Sequence, residues 1–250
     1  MITTKKGPDF LIIGTQKGGT TSLYNYLIQH PNVGRAKKKE LCYFNKFYEK
    51  GLHWYLNQFP AIVQDRTDII TGEGTPDYLY DPNVPERVHT TLPNVKLIVL
   101  LRNPADRAYS QYEMAVRRKA AKGEGFPSFE EMVEKELEGY SGFRFLDRGI
   151  YAKQLEQWFR FFPKKQFLIL KSENFFEDPA KEFRKVICFL NLPVWELPEY
   201  ANVNWKVLAR SKRVERYQKI NKETRERLLY YFKPFNDQLY ALINKNFGWK

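Results

Sequence analysis

The sequence predicts an α/β fold: a single domain over residues 1–250 with a central parallel sheet flanked by helices. Three stretches carry this reading. Phe10–Ile13, Val95–Leu101 and Gln166–Leu170 are short, largely apolar runs, and each gives way to a turn and then to a segment with helical periodicity. Runs that are apolar throughout, rather than alternating, suit strands buried on both faces. Strands that alternate with helices build parallel sheets.

The elements follow in order. Phe10-Leu11-Ile12-Ile13 ends at Gly14, and the turn Gly14-Thr15-Gln16-Lys17-Gly18-Gly19 leads into a helix starting near Thr20. Leu23, Tyr26, Leu27 and His30 share one helical face, and Pro31 stops the helix. Asp68–Thr71 is a further short strand. Arg102-Asn103-Pro104 breaks the second strand before a helix over Ala105–Ala120. Lys122–Ser128, with its glycines and proline, is a surface loop. Pro179–Leu190 is the third helix, Leu192–Asn204 is irregular, and Lys219–Asn246 is an amphipathic helical region interrupted by Pro234.

The chain is 43% hydrophobic and 16% aromatic, enough to bury a sizeable core, which excludes global disorder. With 41 Lys+Arg against 29 Asp+Glu it carries a net charge of +12, which favours anionic partners without choosing among them. Cys42 and Cys188 make no disulfide framework and read as buried free thiols in a reducing compartment. No apolar run is long enough to span a bilayer, and no signal-peptide segment opens the chain. The expectation is therefore a cytoplasmic protein, with a trimmed luminal domain as the alternative. Nothing in the residues specifies an oligomeric state.

The first turn has the form of an anion cradle. A loop between a buried strand and a helix presents backbone N–H groups and the positive helix end to phosphate, and glycines permit close approach. The loop is not that of an NTPase. Aligning Gly14 and Gly19 on G-x-x-x-x-G-K-[ST] puts Thr20 where the lysine belongs. The loop's lysine, Lys17, precedes the Gly-Gly pair, and no metal-binding aspartate closes the second strand. The run Gly14–Ser22 resembles the 5′-phosphosulfate-binding loop of sulfotransferases. The second strand ends in Arg102, an arginine suited to a bidentate phosphate contact, with Ser110 eight residues on. This resembles the 3′-phosphate site of the same family.

The resemblance runs over most of the chain. The order of Lys17–Leu27, His30–Val33, Lys37–Phe44, Gly51–Phe59, Gly72–Tyr80, Leu100–Tyr112, Leu155–Pro163 and Phe176–Pro179 looks like that of the heparan sulfate sulfotransferases and their bacterial relatives. It implies a P-loop-NTPase-like sulfotransferase fold. It also implies 3′-phosphoadenosine 5′-phosphosulfate (PAPS) as co-substrate, PAP as product, and no metal. It places Lys17, Gly18, Gly19, Thr20, Thr21, Ser22, Arg102 and Ser110 at the nucleotide, joined by Arg210, Ser211 and Lys212 in the basic segment Trp205–Arg227. It makes Glu40, in Lys39-Glu40-Leu41-Cys42-Tyr43-Phe44, the catalytic base, beside the positive charges of Lys37, Lys38 and Lys39. Lys39, Glu73 and Tyr78 become candidates for the acceptor.

Three departures bear on that acceptor. Gly74 stands where related enzymes carry a lysine, Cys42 where they carry a histidine, and Leu192–Arg213 lacks the cysteines of their luminal loop. The expected acceptor is a hydroxyl, or an amine, of a glycan or another small or polymeric metabolite that can be anionic, with no nucleic acid as partner and no membrane segment. The alternatives are a P-loop-like nucleotide kinase and a non-catalytic basic nucleic-acid-binding protein.

Overall fold

The computed structural model describes residues 3–4, 7–63, 68–201 and 220–249. In chain order the strands are β1 (Thr3–Thr4), β2 (Phe10–Gly14), β3 (Val33–Arg35), β4 (Ile62–Val63), β5 (Ile70–Gly74), β6 (Lys96–Leu101) and β7 (Phe167–Lys171). The helices are α1 (Thr20–Leu27), α2 (Tyr43–Lys46), α3 (Gly51–Leu56), α4 (Val84–Thr91), α5 (Pro104–Ala120), α6 (Phe129–Leu137), α7 (Tyr151–Phe159), α8 (Ser172–Glu177), α9 (Pro179–Leu190) and α10 (Lys222–Ile243). They form two compact units, Met1–Leu101 with Gln157–Glu215 and Arg102–Glu156 with Arg216–Lys250.

The first unit holds a five-stranded sheet in the order β3-β5-β2-β6-β7, with every pairing parallel. The expected α/β architecture is thus present. Phe10 and Ile12, with Ile98, Leu100 and Leu170, pack against Leu23 and Leu27 of α1 and Phe183, Val186 and Ile187 of α9. Leu11, Ile13, Leu97 and Val99 point to the other face and are equally buried. Both faces are therefore covered, which is why these strands read as continuous apolar runs. The chain leaves β2 toward β3 and leaves β6 toward β7, on opposite sides of the sheet. The strand order therefore reverses between the neighbours β2 and β6, and α/β proteins bind ligands beyond the carboxyl ends of strands at such a point.

The second unit packs α5, α6 and α10, with the segment before α7, around Ala105, Ala108, Phe129, Met132, Val133, Phe145, Leu146, Leu228 and Phe232. Asn103 caps α5 through Ala105 N, and Ser128 with Glu131 forms a reciprocal capping box on α6. Arg225 pairs with Asp106 at 3.1 Å, tying α10 to α5.

Several expectations need correction. The first helix ends at Leu27 rather than running to His30. His30 is buried, with its ring bonded to Pro193 O and Asn32 N. The strand expected at Asp68–Thr71 lies at Ile70–Gly74, because it pairs with the whole of β3 and with the first three residues of β2. Pro234 does not interrupt α10. It sits on the exposed face, where the carbonyl left without its N–H partner meets water. Cys188 is exposed, not buried. On α9 the inward stripe is Glu182, Phe183, Val186, Ile187 and Leu190, and Cys188 follows Arg184 by one turn on the outer face. Among the described residues no helix is long and apolar enough to cross a membrane.

Candidate active site

The loop after β2 is built by backbone. The register of β2 against β6 shifts between Ile12 and Gly14, turning the chain as the strand ends. Thr15 N then donates to Leu100 O at 2.9 Å, and Gly18 N donates to Thr15 O at 2.9 Å. Ser172 Oγ donates to Gly18 O at 2.8 Å from the start of α8. A Cβ on Gly18 would lie 2.6 Å from Leu100 O, so only glycine fits there. Gly19 has φ 101°, and its Cβ would meet Phe176 at 2.9 Å and Phe175 at 3.2 Å. That left-handed residue is the N-cap of α1, and no side chain caps the helix.

The first N–H groups of α1 therefore lack a side-chain acceptor of their own, and an anion is what such an end accommodates. Lys17, half-buried, sits in the loop with φ 72°. Gln16 Oε1 is buried with no hydrogen-bond partner among the described residues. Such an atom calls for a partner. A backbone cradle closed to side chains, a lysine and an unsatisfied polar atom together suit a phosphate-bearing ligand. Gly18, Gly19, Thr20, Thr21 and Ser22 all lie in this loop and the first turn of α1.

Glu40 lies in the same unit, on the segment between β3 and α2. It is exposed, and Lys39 Nζ lies 2.5 Å from its Oε1. Its backbone is left-handed at φ 60°, as is that of Cys42 at φ 54°. Non-glycine residues hold such conformations only where their surroundings insist, and here they do. Ahead of Glu40, Ala36 N donates to Tyr24 Oη at 3.3 Å and Lys37 N donates to Gln58 O at 2.8 Å. After it, Leu41 N donates to Glu73 Oε2 at 3.2 Å, Cys42 N to Thr75 Oγ1 at 3.3 Å, and Phe44 N to Tyr78 Oη at 3.3 Å.

Glu73 organises the second set of contacts. Its Oε2 also accepts from Thr75 Oγ1 at 2.6 Å, and its Oε1 accepts from Tyr78 Oη at 2.8 Å and Tyr55 Oη at 3.1 Å. A carboxylate offers about four acceptor sites, and four donors fill them. Burial pushes the Glu73 carboxyl above its ordinary value, opposed by the bonds from Thr75, Tyr78, Tyr55 and Leu41 N. Burial also pushes the Tyr55 and Tyr78 phenols well up, reinforced by the Glu73 charge.

Glu73 and Tyr78, named from the sequence as acceptor contacts, are each 0% exposed. Any part they take in acceptor binding passes through the Glu40 segment in front of them. Lys39, beside Glu40, is half-buried. Sequence reasoning missed Thr75 and Tyr55 as partners in this network. The proximity of Thr75 and Tyr78 to Glu73 in the chain was the available signal; Tyr55 gave none.

In the second unit Arg102 is half-buried, and its carbonyl accepts from Tyr151 Oη at 2.8 Å. Ser110, on α5, is 7% exposed. Arg107, between them in sequence, is fully buried. It donates to Gln111 Oε1 at 2.7 Å and to Phe145 O, while Gln111 Nε2 donates to Phe143 O at 2.9 Å. Burial lowers the Arg107 pKa to about 10, and the like charges of Arg148 and Arg102 push the same way. It stays charged at neutral pH. Arg210, Ser211 and Lys212 lie outside the described residues.

Comparison with known proteins gives a consistent set. A family model described as a sulfotransferase domain matches residues 7–228. Human heparan sulfate glucosamine 3-O-sulfotransferase 6 is 33% identical over 98% of this chain and 74% of its own length. The membrane-associated sulfotransferase kil1 of Dictyostelium discoideum is 27% identical over 97% of this chain, which spans 66% of that protein. The crystal structure of a sulfotransferase from Alicyclobacillus acidocaldarius superposes with a TM-score of 0.78 at 27% identity, covering 96% of this chain and 97% of that one.

Proposed function

The chain belongs to the sulfotransferase family, and on that premise we propose that it moves a sulfuryl group from PAPS to a hydroxyl, or an amine, of a glycan or other anionic acceptor by in-line displacement. The observation that carries the reading is the loop Thr15–Gly19: a glycine-locked cradle at the switch point of the sheet, leading into a helix with no side-chain cap.

Each residue then has a chemical task. Backbone N–H groups from Gly18 to Thr21 hold the 5′-phosphate, and Lys17 stabilises charge that develops on the bridging oxygen as the sulfur–oxygen bond breaks. Arg102 and Ser110 anchor the 3′-phosphate, which aligns the donor. Glu40 takes the proton of the acceptor group as its oxygen or nitrogen bonds to sulfur. PAP leaves with the electron pair of the broken bond.

A glycan acceptor is supported by the heparan sulfate enzymes among the relatives and by the +12 charge of the chain. Gly74 and Cys42 replace the lysine and histidine that the resemblance calls for, so the acceptor contacts differ and heparan sulfate itself is not assigned. Family membership favours the sulfotransferase reading over the nucleotide-kinase and nucleic-acid-binding alternatives.

The test is an acceptor screen with radiolabelled PAPS, comparing the parent with Glu40→Gln. The expected result is a kcat loss of about 10²–10⁴-fold with PAP affinity by calorimetry unchanged. Full turnover by the variant removes Glu40 as the base. No PAP binding by the parent removes the donor assignment.

A further inference from the structure

We infer that Glu73 is a positioning residue for the reaction: with Thr75 and Tyr78 it holds the backbone of Leu41–Phe44 and so sets where Glu40 points. The inference rests on the reading of Glu40 as the base.

Three observations carry it. Glu40 is an exposed side chain on a left-handed backbone, and Cys42, two residues on, is left-handed as well. Each such residue carries backbone strain and needs outside restraint. The restraint on the C-terminal side comes from one polar cluster. Leu41 N, Cys42 N and Phe44 N donate to Glu73, Thr75 and Tyr78, respectively. Thr75 and Tyr78 in turn donate to Glu73, so the carboxyl is one acceptor and orients the other two.

Glu73 also sits on a rigid support. Its backbone is part of β5, in register with Leu11 of β2, one strand from the centre of the sheet. Its carboxyl is completely buried, at a desolvation cost that a surface carboxylate avoids. A buried carboxyl whose four contacts include a main-chain amide next to the base links the sheet to the base. The phosphate loop rises from the neighbouring strand β2, so one sheet positions both the loop and Glu40.

The experiment compares Glu73→Gln and Thr75→Val, each alone and combined with Glu40→Gln, by turnover of radiolabelled PAPS on the acceptor that the screen finds for the parent, by PAP calorimetry and by amide hydrogen exchange. Thr75→Val keeps the test open should Glu73→Gln not fold. The expected result for each single variant is a kcat loss of about 10–100-fold, as for a base displaced by an ångström. PAP affinity should be retained, and exchange should accelerate at Leu41–Phe44 while β2 and β6 stay protected.

In the Glu40→Gln background the same changes should cost less than about twofold more, because residues acting through one group are non-additive. Equal losses in both backgrounds overturn the inference, since a general structural defect does not depend on Glu40. Parent-like turnover by both single variants overturns it too, and leaves Glu40 as base intact. Full turnover by Glu40→Gln alone overturns the base reading and this inference with it.

Discussion

Glu73 Oε2 accepts the amide hydrogen of Leu41 at 3.2 Å, across 32 positions of chain, from the residue next to Glu40. A buried carboxyl on a sheet strand thus reaches an exposed carboxyl on a loop through a single peptide unit. The ionisation of Glu73 becomes a property of the fold, measurable apart from turnover.

Its effect on stability has a definite sign. Burial raises the Glu73 pKa above the ordinary 4.5, so the folded protein binds this proton more tightly than the unfolded chain. The stabilisation is complete below 4.5 and is lost as pH rises through the raised folded value. Glu73→Gln removes the titration. Urea midpoints measured from neutral pH down to 4.5 should show the parent gaining on the variant as acid is added. A constant difference across that window contradicts the assignment.

Lys17 sits in the glycine loop with a left-handed backbone. If it stabilises charge on the leaving oxygen, Lys17→Ala should lower kcat by an amount equivalent to about 3–4 kcal/mol, the scale of a lost oxyanion donor. Single-turnover kinetics with labelled PAPS reads this directly. A change confined to KM assigns Lys17 to binding alone.

Gly19 combines φ 101° with a Phe176 atom 2.9 Å from where a Cβ would stand. Gly19→Ala should destabilise the protein by about 1–3 kcal/mol through backbone strain and weaken PAP binding as the loop shifts. Thermal melts with and without PAP separate the two effects. Unaltered PAP affinity in the variant means that the loop does not hold the 5′-phosphate.

Arg102 and Ser110 are assigned to the 3′-phosphate alone. Arg102→Ala should cost about 1.5–3 kcal/mol of affinity for adenosine 3′,5′-bisphosphate, the worth of a hydrogen bond to a charged group. It should leave the affinity for adenosine 5′-monophosphate unchanged. Calorimetry with both nucleotides checks this, and equal losses for the two refute the division of labour.

The sequence by itself determined the elements whose information is local. The apolar run Phe10–Ile13, the glycines of Gly14–Gly19 and the periodicity after Thr20 lie within one stretch of chain, and the strand, loop and helix appear there. Pro104–Ala120 and Pro179–Leu190 are as legible, because proline at N1 and an inward stripe mark them without outside help. Helices α6 and α7 went unread although Ser128 and Glu131 spell a capping box.

Only the tertiary structure decided what depends on distant partners. Burial of Glu73 and Tyr78 behind Glu40, exposure of Cys188 and passage of α10 through Pro234 are fixed by which face meets the core. The Glu73 clamp joins strand β5 to the loop before α2 by hydrogen bonds to main-chain amides. Every residue but proline carries a backbone N–H donor, so residue types could mark Glu40 and Glu73 as candidates but not the bond that connects them.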